Sequence, residues 1–209
     1  MQWVAILTML LDHIGLVWFP ESPVWRVIGR LAFPIYTYYI AAGLSSTKDR
    51  KAYVLRLALL ALASQIPFSL LFQTWSINVI GTFLFSVLAI YAMEQNPESP
   101  FRFAWAAATA VLLELFAFDY GAYGLLLLLI YRYTAGNAMW LGHLGLNLLY
   151  WILFGLPLQM FSIFPTFIFA FIAGFPSSSA FYLAPRWVWR AFYPAHLLAL
   201  FLIAAWVKL

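Results

Sequence analysis

Apolar runs long enough to cross a bilayer recur from one end of this chain to the other, with only short stretches between them. A crossing helix needs about 17 to 25 mostly apolar residues. Nine such runs lie near residues 2–19, 24–44, 52–72, 76–94, 101–118, 121–134, 138–154, 157–174 and 192–208. The residue balance agrees: 66% of the chain is hydrophobic and 9% charged, against roughly 45 to 50% and about a quarter in soluble domains. A water-soluble core could not absorb that much apolar surface. The fold class read from this is all-α, a polytopic transmembrane helix bundle of eight or nine spans. The sixth run is short and is expected as a half-helix or a steeply packed segment, because irregular backbone survives at membrane depth only where protein or water surrounds it. Joining it to the fifth run through Phe118, Asp119, Tyr120 and Gly121 gives the eight-span count. No connection exceeds about 16 residues and composition does not shift, so a single membrane domain over residues 1–209 is expected.

Several function classes drop out at once. There is no cysteine, so disulfides, thiol nucleophiles and cysteine metal sites are excluded. The three histidines lie on three distant runs without ligand spacing, so no metal is expected, and nothing points to nucleic acid. The opening MQWVAILTML lacks a basic start and runs into Asp12 and His13 rather than a small-residue cleavage site, so it reads as a permanent first helix. Basic residues then set the orientation. Lys48, Arg50, Lys51, Arg56, Arg102, Arg132, Arg186 and Arg190 fall on one side if every run crosses, with Arg26, Arg30 and Lys208 as exceptions. The positive-inside rule makes that side cytoplasmic and the N-terminus with it.

Ionisable groups within such runs cost about 2.5 to 3.5 kcal/mol each on insertion scales, so they are expected to face inward and to serve a function. Thr8 and Asp12 share a face of the first helix, whereas His13 lies about 100° round from Asp12, so Asp12 and His13 need separate partners. In the second run Pro34 cannot donate to the Arg30 carbonyl, which predicts a bent helix beside a guanidinium. Asp12 and Arg30 come at similar depth and are expected to pair. Asn78, Glu114, Asp119, Tyr120, Gly121 and Gly124 gather toward the outer side, and Tyr193, Pro194 and His196 open the last run. His143 and Asn147, four apart beside Gly142 and Gly145, read as helix packing rather than chemistry.

The order of these motifs resembles one family. Leu11-Asp12-His13-Ile14, Gly29-Arg30-Leu31-Ala32-Phe33-Pro34, Asn78 heading an apolar helix, Tyr120-Gly121-Ala122-Tyr123-Gly124-Leu125-Leu126 and Phe192-Tyr193-Pro194-Ala195-His196-Leu197 look like the TraX family. That family is named for the F-pilin acetylase, which acetylates the amino terminus of the pilin subunit, and it is related to a superfamily of transmembrane acyltransferases. The resemblance implies an enzyme of the bacterial cytoplasmic membrane. It would transfer an acetyl group from cytoplasmic acetyl-CoA to an acceptor in or beyond the bilayer: a protein N-terminus, a glycan or a small molecule. The motif positions that carry over are Asp12, His13, Arg30, Asn78, Tyr193 and His196.

The residues supply a mechanism of their own. Acyl transfer from a thioester needs a base for the attacking group and a donor for the tetrahedral oxyanion. His13 is the expected base, oriented by a carboxylate or carbonyl of a neighbouring helix, Asp12 a further catalytic candidate, and Arg30 or Asn78 the expected donor. The phosphates of CoA would meet Arg50, Lys51, Arg56, Arg186 and Arg190 on the cytoplasmic face, with Tyr193 and His196 completing the CoA end. The nine-span count places His196 near the start of its helix, a dozen ångströms or more from His13 at about 1.5 Å per residue. Two other classes fit a membrane bundle: a proton-coupled small-molecule transporter and a non-catalytic assembly protein. The first usually carries repeated halves, and residues 1–100 show no similarity to 101–209. The second has no need of Asp, His and Arg at one depth.

Overall fold

The computed structural model describes residues 1–171 and 184–207, and every regular element among them is helical. In chain order these are α1 (Gln2–Trp18), α2 (Pro23–Gly29), α3 (Ala32–Ser46), α4 (Arg50–Phe72), α5 (Val79–Gln95), α6 (Arg102–Leu115), α7 (Gly121–Tyr133) and α8 (Gly136–Phe154). A 3₁₀ helix (Pro157–Ser162), α9 (Ile163–Phe171) and α10 (Arg186–Val207) follow. By length and composition Pro23–Ser46, Arg50–Phe72 and Arg186–Val207 can cross a membrane, and Gln2–Trp18, Val79–Gln95, Gly121–Tyr133 and Pro157–Phe171 are shorter apolar helices. The chain is a membrane protein built as an all-α bundle.

Contacts between connections define two ends. At one, the Gln2 side chain accepts from the Ala184 amide (2.8 Å), Arg50 and Arg132 both reach Glu94 (2.9 and 2.7 Å), and Arg132 donates to Ser45 (2.5 Å). This end carries most of the basic residues. At the other, Asp119 N–H donates to the Ile77 carbonyl (2.8 Å), joining the α4–α5 connection to the α6–α7 turn. Phe33, Phe83, Tyr123, Leu127 and Leu197, from α3, α5, α7 and α10, share the main core between these ends.

Two expectations about the spans change. α6 and α7 are separate helices, so the eight-span joining does not hold. The turn between them places Ala117, Tyr120 and Gly121 at positive φ (50°, 63° and 40°), which ends one helix and reverses the chain. α10 begins at Arg186, six residues before the apolar run. Arg186, Trp187, Trp189 and Arg190 are helical residues whose polarity and aromaticity hide them from a hydropathy count. The ends of the eighth and ninth expected spans, 172–174 and 208, lie outside the described residues.

The second span is broken into two helices rather than bent at Pro34. α2 stops at Gly29 and α3 starts at Ala32, which puts Pro34 in the first turn of α3, where its missing N–H orphans nothing. Close approach of α1 and α2 depends on two glycines. A Cβ on Gly29 would lie 2.2 Å from Asp12 Cγ, and one on Gly15 would lie 2.1 Å from Trp25 Cβ.

Candidate functional site

A cavity of about 510 Å³ occupies the half of the bundle away from the basic end. Met9, Asp12, His13, Arg26, Arg30, Tyr36, Asp119, Tyr120, Tyr123, Gln159 and Tyr193 all contribute to its wall, with Phe33, Phe68, Phe72 and Phe83 among the apolar lining. The cavity therefore unites motif residues as far apart in the sequence as Asp12 and Tyr193.

His13 and His196 are in direct contact, with Nδ1 of His13 2.7 Å from Nε2 of His196. The expected separation is overturned by the early start of α10, which carries His196 ten residues into its helix and to the depth of His13. The contact also fixes the tautomers. His196 Nδ1 lies 2.7 Å from the Phe192 carbonyl. A carbonyl only accepts, so His196 Nδ1 donates. A neutral His196 then offers a lone pair at Nε2, and His13 Nδ1 must donate to it. The lone pair of His13 is left on Nε2, in a ring that lines the cavity. His13 and Asp12 do have separate partners.

Asp12 pairs with Arg26 and not with Arg30. Arg26 Nη1 lies 2.7 and 2.8 Å from the two Asp12 carboxylate oxygens. Arg26 sits within α2 and Arg30 caps its end, one turn further on, and the tight Gly29 contact brings Asp12 under the Arg26 side chain. Arg30 instead donates from Nη1 to Gln159 Oε1 (2.9 Å), and its guanidinium lies 5.8 Å from the centre of the Tyr120 ring. Charge-assisted hydrogen bonds are worth about 1.5 to 3 kcal/mol. Asp12→Asn and Arg26→Gln singly should each lower stability by about that much, with the double variant little worse than either single. Thermal unfolding in detergent checks this, and strictly additive losses would contradict the pair.

Asn78 is not in the cavity wall. Its Oδ1 caps α5 by accepting from Ile80 N–H (3.0 Å) and Gly81 N–H (3.4 Å), and its Nδ2 donates to Gln65 Oε1 (2.7 Å) and the Ala61 carbonyl (2.9 Å). With every polar atom occupied, it has no donor left for an oxyanion. Arg50 is tied to Glu94 and lies over the Tyr91 ring at 4.6 Å. Lys51, Arg56, Arg186 and Arg190 are exposed at the basic end, outside the cavity wall. Tyr193 is buried and lines the cavity.

The α6–α7 turn presents Asp119 and Tyr120 to the cavity. Positive φ at a non-glycine residue costs about 1 to 2 kcal/mol, so the turn needs support. Glu114 accepts from Ala122 N–H (2.8 Å) and Thr82 donates to the Asp119 carbonyl (2.5 Å). Tyr120 stacks on Phe33 with ring centres 3.7 Å apart. Asp119 stands between the two helices, and burial pushes its carboxyl up to about 6 against the pull of Arg30 and Arg26.

His143 and Asn147 are fully buried in a hydrogen-bonded cluster. Tyr123 OH lies 2.9 Å from His143 Nε2, 2.9 Å from Asn147 Oδ1 and 3.2 Å from Ser162 Oγ, and His143 Nδ1 lies 2.5 Å from Thr166 Oγ1. Tyr131 also bonds Thr166. This cluster ties α7, α8 and α9 to the 3₁₀ helix, in line with the packing expected there. Sequence reasoning missed Arg26, Tyr36, Tyr123 and Gln159 as cavity residues. Arg26 carried a signal, as an exception to the charge asymmetry. Gln159 carried only that of a polar residue beginning an apolar run.

Comparison with known proteins adds the family. The family described as TraX protein matches residues 1–204. A curated relative, "Uncharacterized protein RP591" of Rickettsia prowazekii (strain Madrid E), is 38% identical over 39 residues. That segment covers 19% of this chain and 16% of the relative. No solved structure matches.

Proposed function

The chain belongs to the TraX family, and on that premise we propose that it is a membrane acyltransferase moving an acetyl group from acetyl-CoA to an amine or hydroxyl acceptor. The hydrogen-bonded series Phe192 carbonyl, His196, His13 carries the reading, because it leaves a lone pair on a cavity histidine with Arg30 lining the same cavity. A base and an oxyanion donor are the two groups that thioester aminolysis or alcoholysis requires.

In the proposed reaction His13 Nε2 takes the proton of the acceptor N–H or O–H as that atom attacks the thioester carbonyl carbon. Arg30 stabilises the negative oxygen of the tetrahedral intermediate. The C–S bond then breaks, and His13 returns its proton to the leaving sulfur, giving the acylated acceptor and free CoA. His196 holds the His13 ring in the required tautomer, and the positive charge that His13 gains in the intermediate is shared across the pair. Asp12 and Arg26 fix the α1–α2 contact beside the base.

CoA enters this reading from the basic end, taken as cytoplasmic along with the N-terminus. Lys51, Arg56, Arg186 and Arg190 are exposed there to meet its phosphates, while Arg50 is engaged by Glu94. About 15 Å of helix, at 1.5 Å per residue, separates Arg186 from His196, a reach suited to the pantetheine arm. Its path runs past Tyr36, which stacks on Trp189 with ring centres 4.2 Å apart. A cavity of about 510 Å³ suits the acyl end and the acceptor, with the nucleotide held outside. Sealed inside-out membrane vesicles carrying the protein are expected to bind acetyl-CoA, and right-side-out vesicles are not. Binding only by right-side-out vesicles would reverse the orientation, and binding by neither would remove the reading.

A further inference from the structure

We propose that Gln159 and Arg30 act together as the donor pair for the carbonyl oxygen of the acyl group, and that the buried His143 cluster holds that pair in place. The proposal rests on the acyltransferase reading and adds to it a residue from outside the motifs. A guanidinium only donates, so the 2.9 Å contact with Arg30 Nη1 must be made by the Gln159 oxygen. The amide nitrogen of Gln159 is therefore turned away from that contact. It is buried and has no hydrogen-bond partner among the described residues, and the same holds for Nε of Arg30.

Two orphaned donors on adjoining side chains of one cavity are costly in an apolar interior, where each unmade bond forfeits about 1 to 3 kcal/mol. Their chemical complement is an atom with lone pairs and no hydrogen. A thioester carbonyl oxygen fits that description, and the oxyanion formed from it fits better, since charge-assisted bonds are roughly twice as strong as neutral ones.

The support behind Gln159 is buried and hydrogen-bonded. Ser162 Oγ donates to the Gln159 backbone carbonyl at 2.6 Å, within the 3₁₀ helix. Ser162 is itself 3.1 Å from His143 Nε2 and accepts from Asn147 Nδ2 at 3.0 Å. Gln159 is 6% exposed, and Ser162, His143 and Asn147 are fully buried. The buried histidine so acquires a purpose that the reaction does not otherwise give it: it fixes the backbone from which Gln159 reaches Arg30. Such fixed supports are what keep a donor aimed where charge develops rather than at the ground state.

Gln159→Glu tests the proposal, since it keeps the size of the side chain and the Arg30 contact but replaces the free N–H donor with an acceptor. Losing one oxyanion donor should lower kcat by about 100 to 1,000-fold, with KM for acetyl-CoA held within about threefold. Binding gives a second readout. The wild-type protein should bind S-acetonyl-CoA, which carries an unreactive carbonyl, more tightly than S-ethyl-CoA, which has none, and Gln159→Glu should weaken that preference. Should Gln159→Glu fail to fold, Gln159→Met is read by the same pair of ligands. Unchanged kcat, or a carbonyl preference that is undiminished, would overturn the donor pair while leaving the acyltransferase reading intact. A wild-type protein that binds neither compound and turns over no acetyl-CoA would instead overturn that reading, and the donor pair with it.

Discussion

His13→Ala is expected to lower acetyl transfer by about 100 to 10,000-fold, the usual range for a missing general base, while the protein stays folded and still binds CoA. Interhelical hydrogen bonds in membranes average only about 0.6 kcal/mol, so losing the 2.7 Å contact to His196 should barely move the unfolding temperature. Rate and stability therefore separate a base from a packing residue. His196→Ala should also slow the reaction without removing CoA binding, because His196 touches His13 and the Phe192 carbonyl. Full activity in His13→Ala would sink the assignment, and proportionate loss of activity and folded protein would make the histidine structural.

Asn78→Ala is expected to do the opposite. Removing the cap costs about 1 kcal/mol, and the Ala61 carbonyl and Gln65 oxygen left without the Nδ2 donor cost a further 1 to 3 kcal/mol or so. A loss of about 2 to 4 kcal/mol is a large share of the roughly 5 to 15 kcal/mol that holds a typical domain together. Folded yield should fall sharply, and the fraction that survives should retain its kcat, because Asn78 does not reach the cavity. A well-folded but inactive Asn78→Ala protein would return this residue to the chemistry.

These two variants mark what was legible in the sequence. The helices were, because long apolar runs leave little choice but helices in a membrane. The inward-facing character of Asp12, His13, Arg30 and Tyr193 was legible for the same reason, and each lines the cavity. Partners were not. Arg26 lies within α2 and Arg30 caps its end one turn later, and the close approach at Gly29 decides which of them reaches Asp12. The depth of His196 was hidden because helix geometry continues through Arg186, Trp187 and Arg190, where hydropathy has already ended. Asn78 misled by being polar at the head of an apolar helix, a position that capping explains without chemistry. Gln159 escaped notice because a neutral amide raises no alarm until its buried neighbours are known.

The most direct measurement is release of free CoA thiol from acetyl-CoA by the purified protein in detergent, with the wild type and His13→Ala compared side by side. The account predicts steady thiol release by the wild type, accelerated by an amine or alcohol that becomes acetylated, and a rate at least about 100-fold lower in the folded variant. No thiol release and no acetyl-CoA binding by folded wild-type protein would contradict it.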